Sequence, residues 1–361
     1  MTGDPTPKVG ASSSPRWRRR PEGSNWGDFG PDDNLGRLNL LTPQKIREGL
    51  AEVIDARSFC LSLPLDYPGG TALNPNRLPP VVRPNLRQGA VINFNCRLDE
   101  FTEGSTDVVN DDLAVLHLQY STHWDSLAHV GSMFDADGDG VPEPVYYNGF
   151  RAGIDVWGPD SLSDAGFDTL HRGTTSSATT LGINHMAEKA VQGRAVLIDL
   201  QAHLGTGRSL VGYEDIARIL SKDSVQVEPG DIVCFHTGYA EQVLQLGKNP
   251  DPGTLQNFGV VLDGRDPALL QWITDSGLAA IAADNYAVEA YPGPPAQPPC
   301  SLLPLHEQCL FKLGILLGEL WRLTPIAEYL RAGGRSRFLL TAPPLNLPGA
   351  VGSPVTPIGT V

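Results

Sequence analysis

Ile183-Asn-His-Met-Ala-Glu-Lys-Ala-Val191-Gln-Gly193-Arg-Ala195-Val-Leu-Ile-Asp-Leu200 decides the fold class. Ile183 to Val191 has helical spacing, Gly193 breaks it, and Ala195 to Leu200 is an apolar run of strand length. The same order recurs further along. Tyr213 to Leu220 leads through Pro229-Gly230 to the run Ile232 to His236, and Pro267 to Asp275 leads through Gly277 to Leu278 to Ala283. Three helix-to-strand units predict an α/β layer architecture in which sites form at strand ends. No internal repeat is present.

Towards the N-terminus the pattern changes. Thr42-Pro43 reads as an N-cap followed by proline at the first helical position, with Ile46, Leu50 and Val53 on one apolar face and an end near Arg57. Phe59, Leu61 and Leu63 alternate with polar residues, and Val91 to Phe94 and Leu113 to Tyr120 are further extended candidates. This third is expected to be rich in strands and loops. Residues 1 to 25 hold Pro, Ser, Gly and Arg without apolar periodicity and are expected to be a disordered basic tail, leaving 26 to 361 as a single domain.

Composition narrows the function. The 361 residues, 41% hydrophobic and 19% charged, suffice to bury a core. The 39 Gly and 31 Pro imply long ordered loops and exclude a helical bundle. A net charge of −14 repels a phosphate backbone, so no nucleic-acid partner is expected. No apolar run reaches the roughly 18 residues that span a bilayer. The five cysteines are odd in number and lack a C-x-x-C pair, which fits a reducing compartment, and a cytoplasmic location without a membrane partner is expected. The lack of G-x-G-x-x-G, P-loop and G-x-S-x-G patterns weighs against nucleotide cofactors and serine hydrolysis.

Of eight histidines, two fall in Gln119-Tyr-Ser-Thr-His123-Trp-Asp125-Ser-Leu-Ala-His129. In an extended chain residues 123 and 125 share a face about 7 Å apart, so an imidazole and a carboxylate can share one metal ion. The same side chains could instead cap a turn. His129 lies four residues beyond Asp125 and can face the same cavity, whereas Gln119 needs a bend to join them. A site of His123 and Asp125 alone is incomplete. Leu305-His306 opens a helical turn, Gly314 reads as its C-cap, and an apolar strand follows that carries Glu319 among Leu316, Leu317, Leu320 and Trp321. A carboxylate in that setting needs a partner, and a metal cation is one.

These stretches resemble the putative cyclase family, which includes bacterial kynurenine formamidase and isatin hydrolase. Gln119 to His129 is similar to its signature His-x-Gly-Thr-His-x-Asp-x-Pro-x-His. The resemblance extends through Ser24-Asn-Trp-Gly, Gly30 to Pro43, Tyr147-Asn-Gly149, Gly193 to Asp199, Asp284-Asn-Tyr-Ala-Val-Glu289, His306 to Glu319 and Gly352-Ser-Pro-Val355. It implies a swivelling β/β/α fold, a mixed sheet with flanking helices, and a zinc or manganese site that hydrolyses amide or related acyl bonds. By position it implies His123, Asp125, His306 and Glu319 as metal ligands and His129 as general acid/base, in a homo-oligomer. Gln119, Ser121 and Leu127 depart from the signature. An amide is a weaker zinc ligand than imidazole, so Gln119 favours one metal per chain over two.

The expectation is a metal-dependent hydrolase of a small amide, cyclic amide or lactone. A cyclase or dehydratase of polyketide-type metabolism and a catalytically inactive binding protein of the same fold are the alternatives. Trp124, Tyr147 and Tyr286 are read either as shaping a substrate pocket or as ordinary core packing, and Asp284, at a strand end, as a candidate to contact substrate or support the site. Asp135, Asp137, Asp139 and Gly140 match positions one, three, five and six of a calcium loop, but position twelve is Tyr146 where a Glu is needed, and Pro142 and Pro144 exclude the helix that follows. His117 is expected to be buried and hydrogen-bonded, and His171, His185, His203 and His236 to be structural.

Overall fold

The computed structural model describes residues 16–166 and 173–361. His171 lies outside the described residues, as do residues 1 to 15 of the expected tail. The remainder of that tail is packed: Trp17 lies edge-on to Trp26 at 6.1 Å, Arg16 sits 3.8 Å over the Phe150 ring, and Arg19 pairs with Asp135 at 2.5 Å. Two tryptophans and a stacked guanidinium supply the burial that apolar periodicity did not reveal.

One sheet of nine strands organises the chain. In chain order they are β1 (Ser58–Cys60), β2 (His123–Asp125), β3 (Gln192–Asp199), β4 (Ile232–His236), β5 (Ala280–Ala283), β6 (Leu316–Glu319), β7 (Arg337–Thr341), β8 (Gly352–Pro354) and β9 (Ile358–Thr360). Across the sheet they run β1-β9-β7-β3-β4-β5-β6-β2-β8. The central four are parallel, with Ala195 opposite Ile232, Ile232 opposite Ala280 and Ala280 opposite Leu316. The flanking strands are antiparallel, so the sheet is mixed. The parallel strands are buried on both faces, which is why they read as unbroken apolar runs.

Helices α1 (Pro43–Ala51), α2 (Ile183–Lys189), α3 (Tyr213–Lys222), α4 (Tyr239–Leu246), α5 (Pro267–Asp275) and α6 (Thr324–Ala332) flank the sheet. The three expected helix-to-strand units are present as α2 to β3, α3 to β4 and α5 to β5. Short ends were misplaced where tertiary contacts intervene. The helix expected to end near Arg57 stops at Ala51, because Asp55 and Arg57 donate backbone N–H groups to the Val361 carbonyl instead. The strand expected over Leu113 to Tyr120 spans only Asp112–Val115, and the candidate at Val91 to Phe94 shrinks to Val91–Ile92.

Helix α1 begins as its sequence predicts, with the Thr42 hydroxyl accepting from the Lys45 N–H. Its buried face is rotated from the expected one by about one residue, roughly 100°. Leu50 is 54% exposed, whereas Lys45 and Gly49 are buried. Gly49 lies against the β3 backbone, where a Cβ would come within 2.9 Å of Arg194 N. Lys45 reaches the fully buried Asp231 at 3.2 Å, and Arg194 reaches the same carboxylate at 2.8 Å and Glu228 at 2.6 Å. A buried carboxylate shared by two cations thus outranks the apolar stripe in setting the helix orientation.

Asp231→Ala removes the charge that balances Lys45 and Arg194 and is expected to cost about 3 kcal/mol in urea unfolding. A loss below about 1 kcal/mol would show that Glu48 and Glu228 suffice as partners.

Candidate metal centre

Strand β2 is the middle of three antiparallel strands. Its register places His123 opposite Glu319 on β6 and opposite Pro354 on β8, with Asp125 opposite Leu317 and Gly352. The two-residue period sends His123 and Asp125 to one face and Trp124 to the other. As a result the donor atoms of His123, Asp125 and Glu319 lie within 4.8 Å of one another in buried surroundings. His123 Nε2 is 3.5 Å from Asp125 Oδ1 and 3.7 Å from Glu319 Oε2.

His306 completes the group from the first turn of the helical segment Pro304 to Leu313. Its Nε2 lies 3.3 Å from Glu319 Oε1 and 4.0 Å from Asp125 Oδ2. Glu289 fixes that turn in place: its carboxylate accepts from the Leu305 and His306 backbone N–H groups and from His306 Nδ1 at 2.8 Å. Gly314, with φ +59°, ends the segment as a left-handed cap and aims the chain into β6.

Both imidazoles are held in the orientation a metal requires. His123 Nδ1 lies 2.7 Å from the Ser121 carbonyl and must donate to it, and His306 Nδ1 donates to Glu289, so each ring turns its Nε2 toward the cluster. Two buried atoms in this group, His123 Nε2 and Asp125 Oδ2, have no hydrogen-bond partner among the described residues. The charges point the same way. Burial alone would lower the pKa of His306, but the carboxylates of Glu289 and Glu319 outweigh it and push it up to about 10. Burial would raise Asp125, yet His129, His123 and His306 hold it well below the usual carboxylate range. Buried acceptors that want positive charge, with two imidazole nitrogens facing them, fit a divalent cation such as zinc or manganese.

His129 belongs to the turn after β2 and is the accessible member, with a side chain 23% exposed. Its Nε2 lies 3.8 Å from Asp125 Oδ1. Burial, followed by the opposing pull of Asp125 and the repulsion of His306, leaves its pKa below the ordinary histidine value. Gln119 reaches the same place through the turn at His117 to Tyr120, the bend that its position demanded. Its amide nitrogen donates to Asp125 Oδ1 and lies 3.1 Å from His129 Nδ1. Gln119 is thus placed as a hydrogen-bond donor to the cluster. Gly352 makes the room: a Cβ there would come within 2.7 Å of Gln119 Cδ.

Several candidate site residues lie elsewhere. Trp124 is fully buried on the far face of β2, edge-on to Trp321 at 4.8 Å, with Nε1 donating to the Ala342 carbonyl. Tyr147 is fully buried against Gly314 and cannot touch a substrate. The Asp284 carboxylate is committed to the N–H groups of Thr237 and Gly238 and the Thr237 hydroxyl. Tyr286 does line the approach: with Arg77, Asn74, Tyr120 and Gln119 it bounds a cleft of about 10 Å³, the room of about one water. His117 is exposed rather than buried.

The acidic turn is held by its own hydrogen bonds. Asp135 accepts from the Gly138 and Gly140 N–H groups and pairs with Arg19, and Asp139 turns to the Val141 N–H. Oxygens of Asp135, Asp137 and Glu143 lie within 4.8 Å of one another, with Arg151 3.8 Å from Asp137 and 3.9 Å from Glu143. Glu143 thus replaces Asp139 in the group, and two guanidinium cations already stand beside it.

Glu289 carries no local sign of a role in the site, because only the folded chain brings it against His306 from 17 positions away.

The frame and its site define a mixed α/β protein with a buried cluster of two histidines and two carboxylates beside a third, accessible histidine. The chain belongs to the putative cyclase family, whose model matches residues 61–290. That match ends before His306 and Glu319. Among solved structures the chain is similar to a novel cyclase, 29% identical with a TM-score of 0.71, over 94% of this chain and 97% of that one. Isatin hydrolase A from Labrenzia aggregata, bound to benzyl benzoate, is 14% identical with a TM-score of 0.52, over 88% of this chain and 98% of that one. An isatin hydrolase bound to the product analogue thioisatinate is 14% identical with a TM-score of 0.51, over 89% and 99%. The two hydrolases share the fold. No curated protein matches the chain. No helix among the described residues is long and apolar enough to cross a membrane.

Glu289→Gln keeps the size of the side chain but weakens its hold on His306 Nδ1, and is expected to lower affinity for zinc or manganese about 10- to 100-fold in a competitive chelator titration. Unchanged affinity would leave Glu289 with a purely structural role at the Leu305 to His306 turn.

Proposed function

We propose that this chain is a metal-dependent hydrolase of a small amide, cyclic amide or lactone. The observation that carries the reading is the pair of buried, unpartnered atoms, His123 Nε2 and Asp125 Oδ2, inside a cluster whose one accessible histidine can move a proton. His123, Asp125, His306 and Glu319 would hold zinc or manganese, one ion per chain. A divalent cation there supplies Lewis acidity, which polarises a carbonyl and makes water a better nucleophile near neutral pH.

The protein's own groups supply the rest. Asp125 accepts from the Gln119 amide, so the amide nitrogen is the end that faces both Asp125 and His129. His129 takes the proton of the attacking water and, as imidazolium, gives a proton to the leaving atom, so that water forms the new C–O bond as the scissile C–N or C–O bond breaks and the ring ends neutral. Tyr286, Asn74 and Arg77 shape the approach.

The hydrogen bonds from Gln119 to both Asp125 and His129 also fit a binding protein of the same fold, in which neither group turns over. His129→Ala separates the two readings. In a screen of amides and lactones run in ¹⁸O-water, the wild type is expected to place one solvent oxygen in the acyl product. The variant should lose roughly 10²- to 10⁴-fold in kcat while keeping its metal. Turnover unaffected by the substitution would remove His129 from the reaction, and product without solvent oxygen would favour cyclisation or dehydration.

A further inference from the structure

A hollow of about 330 Å³ lies at the carboxyl end of β3, three strands across the sheet from β6 and its Glu319. Packed interiors leave few voids larger than a water molecule. This volume falls instead at the lower end of the roughly 300–1,000 Å³ that small-molecule sites enclose. Its floor is apolar: Leu197 on β3, Val225 after α3 and Ala327 on α6 are all buried. The residues of the metal centre are not among the described residues that border it.

The rim carries two carboxylates and two guanidinium groups. Asp199, 7% exposed, is fixed from several sides: His236 Nδ1 lies 2.8 Å away, the Ala202 N–H donates to it, and Arg331 pairs with it. Asp223, at the end of α3, faces His203 at 2.7 Å. The Arg335 N–H donates to the Leu330 carbonyl at 2.8 Å, which folds the chain back after α6 so that Arg331 and Arg335 both reach the hollow. Arg335 lies 3.3 Å from Asp55 and donates to the Glu52 carbonyl. Each guanidinium has five donors, so both keep some for a ligand.

Floor and rim together select the ligand. With two acids and two bases the rim is formally neutral, so a ligand of net charge would leave that charge unbalanced over an apolar floor. A wholly apolar ligand would strip water from the rim's remaining donors and acceptors without replacing it. A zwitterion brings one charge of each sign. Its carboxylate can lie against the guanidinium groups and its ammonium against Asp223, while an apolar side chain covers Leu197, Val225 and Ala327. A volume at the low end of the range suits a single amino acid better than a peptide.

We propose that this hollow binds a free α-amino acid with an apolar side chain, its carboxylate at Arg331 and Arg335 and its ammonium at Asp223. The site is separate from the metal centre and does not depend on the reaction assigned to that centre.

Isothermal titration calorimetry with leucine tests this on the full chain as purified and on His123→Ala, because amino acids also bind metal ions through nitrogen and oxygen. Saturation at one leucine per chain is expected in both. Two analogues that each lack one charge, 4-methylpentanoate and 3-methylbutylamine, should bind roughly tenfold or more weakly, the scale of a lost charge-assisted hydrogen bond. Asp223→Asn should erase the preference for leucine over 4-methylpentanoate, and Arg335→Gln should reduce the preference over 3-methylbutylamine. Ala202→Trp, which fills the hollow from its exposed side, should abolish binding with an unchanged thermal melt. The analogue comparison in Asp223→Asn, a change at an exposed residue, decides the matter even if the filled variant fails to fold. Leucine that does not bind at about 10 mM, analogues that match it, a preference that survives Asp223→Asn, or binding lost in His123→Ala would each overturn the proposal.

Discussion

The pairing of β2 with β6 is the constraint on which the centre depends. It brings the carboxylate of Glu319 beside the imidazole of His123 and the carboxylate of Asp125, all three nearly out of reach of water. Two buried carboxylates side by side repel each other and lack solvent to stabilise them, so something positive must be close. In the protein alone His123 and His306 meet that need, both pushed above the usual histidine value by the carboxylates beside them. A divalent cation meets it better, because it can be reached by both carboxylates and both Nε2 lone pairs at once.

The rest of the architecture holds this arrangement in place. The parallel strands β4, β5 and β6 form a core buried on both faces, and β6 emerges from it with Glu319 at its carboxyl end. That is where an α/β sheet leaves room for a site. Glu289 ties the His306 turn to the loop after β5, and the Thr122 hydroxyl ties the start of β2 to β6 through the Leu320 carbonyl. The centre's four candidate ligands come from three separate segments, so their mutual geometry rests on the sheet and not on any local turn. Gln119 shows how a single side chain can alter such a centre. It takes its place beside Asp125 as a neutral donor, in a space that exists because position 352 has no side chain.

Charge acts in the opposite way at the far side of β3. There Asp231 is buried between Lys45, from the helix packed on the sheet, and Arg194, from β3 itself. The need to satisfy that carboxylate turns α1 so that Leu50 faces solvent. Periodicity assumes that apolar burial orients a helix, and the assumption fails where a buried ion group competes with it. The same limit appears at Arg16 to Asn25, whose few aromatic and cationic contacts leave no repeat to detect.

The sequence by itself determined the helix-to-strand units, since the long apolar runs of buried parallel strands between capped helices are local signals. It also placed His123, Asp125, His129, His306 and Glu319 as candidates, because histidines next to carboxylates on strands are uncommon and their spacing is readable. Tertiary structure alone decided which groups meet. Glu289 stands 17 positions from His306, Gln119 donates to Asp125, and the candidate pocket residues Trp124, Tyr147 and Asp284 are spent on packing and loop hydrogen bonds. The reason is physical: a strand's period says which side chains share a face, but only strand order and register say what lies opposite that face.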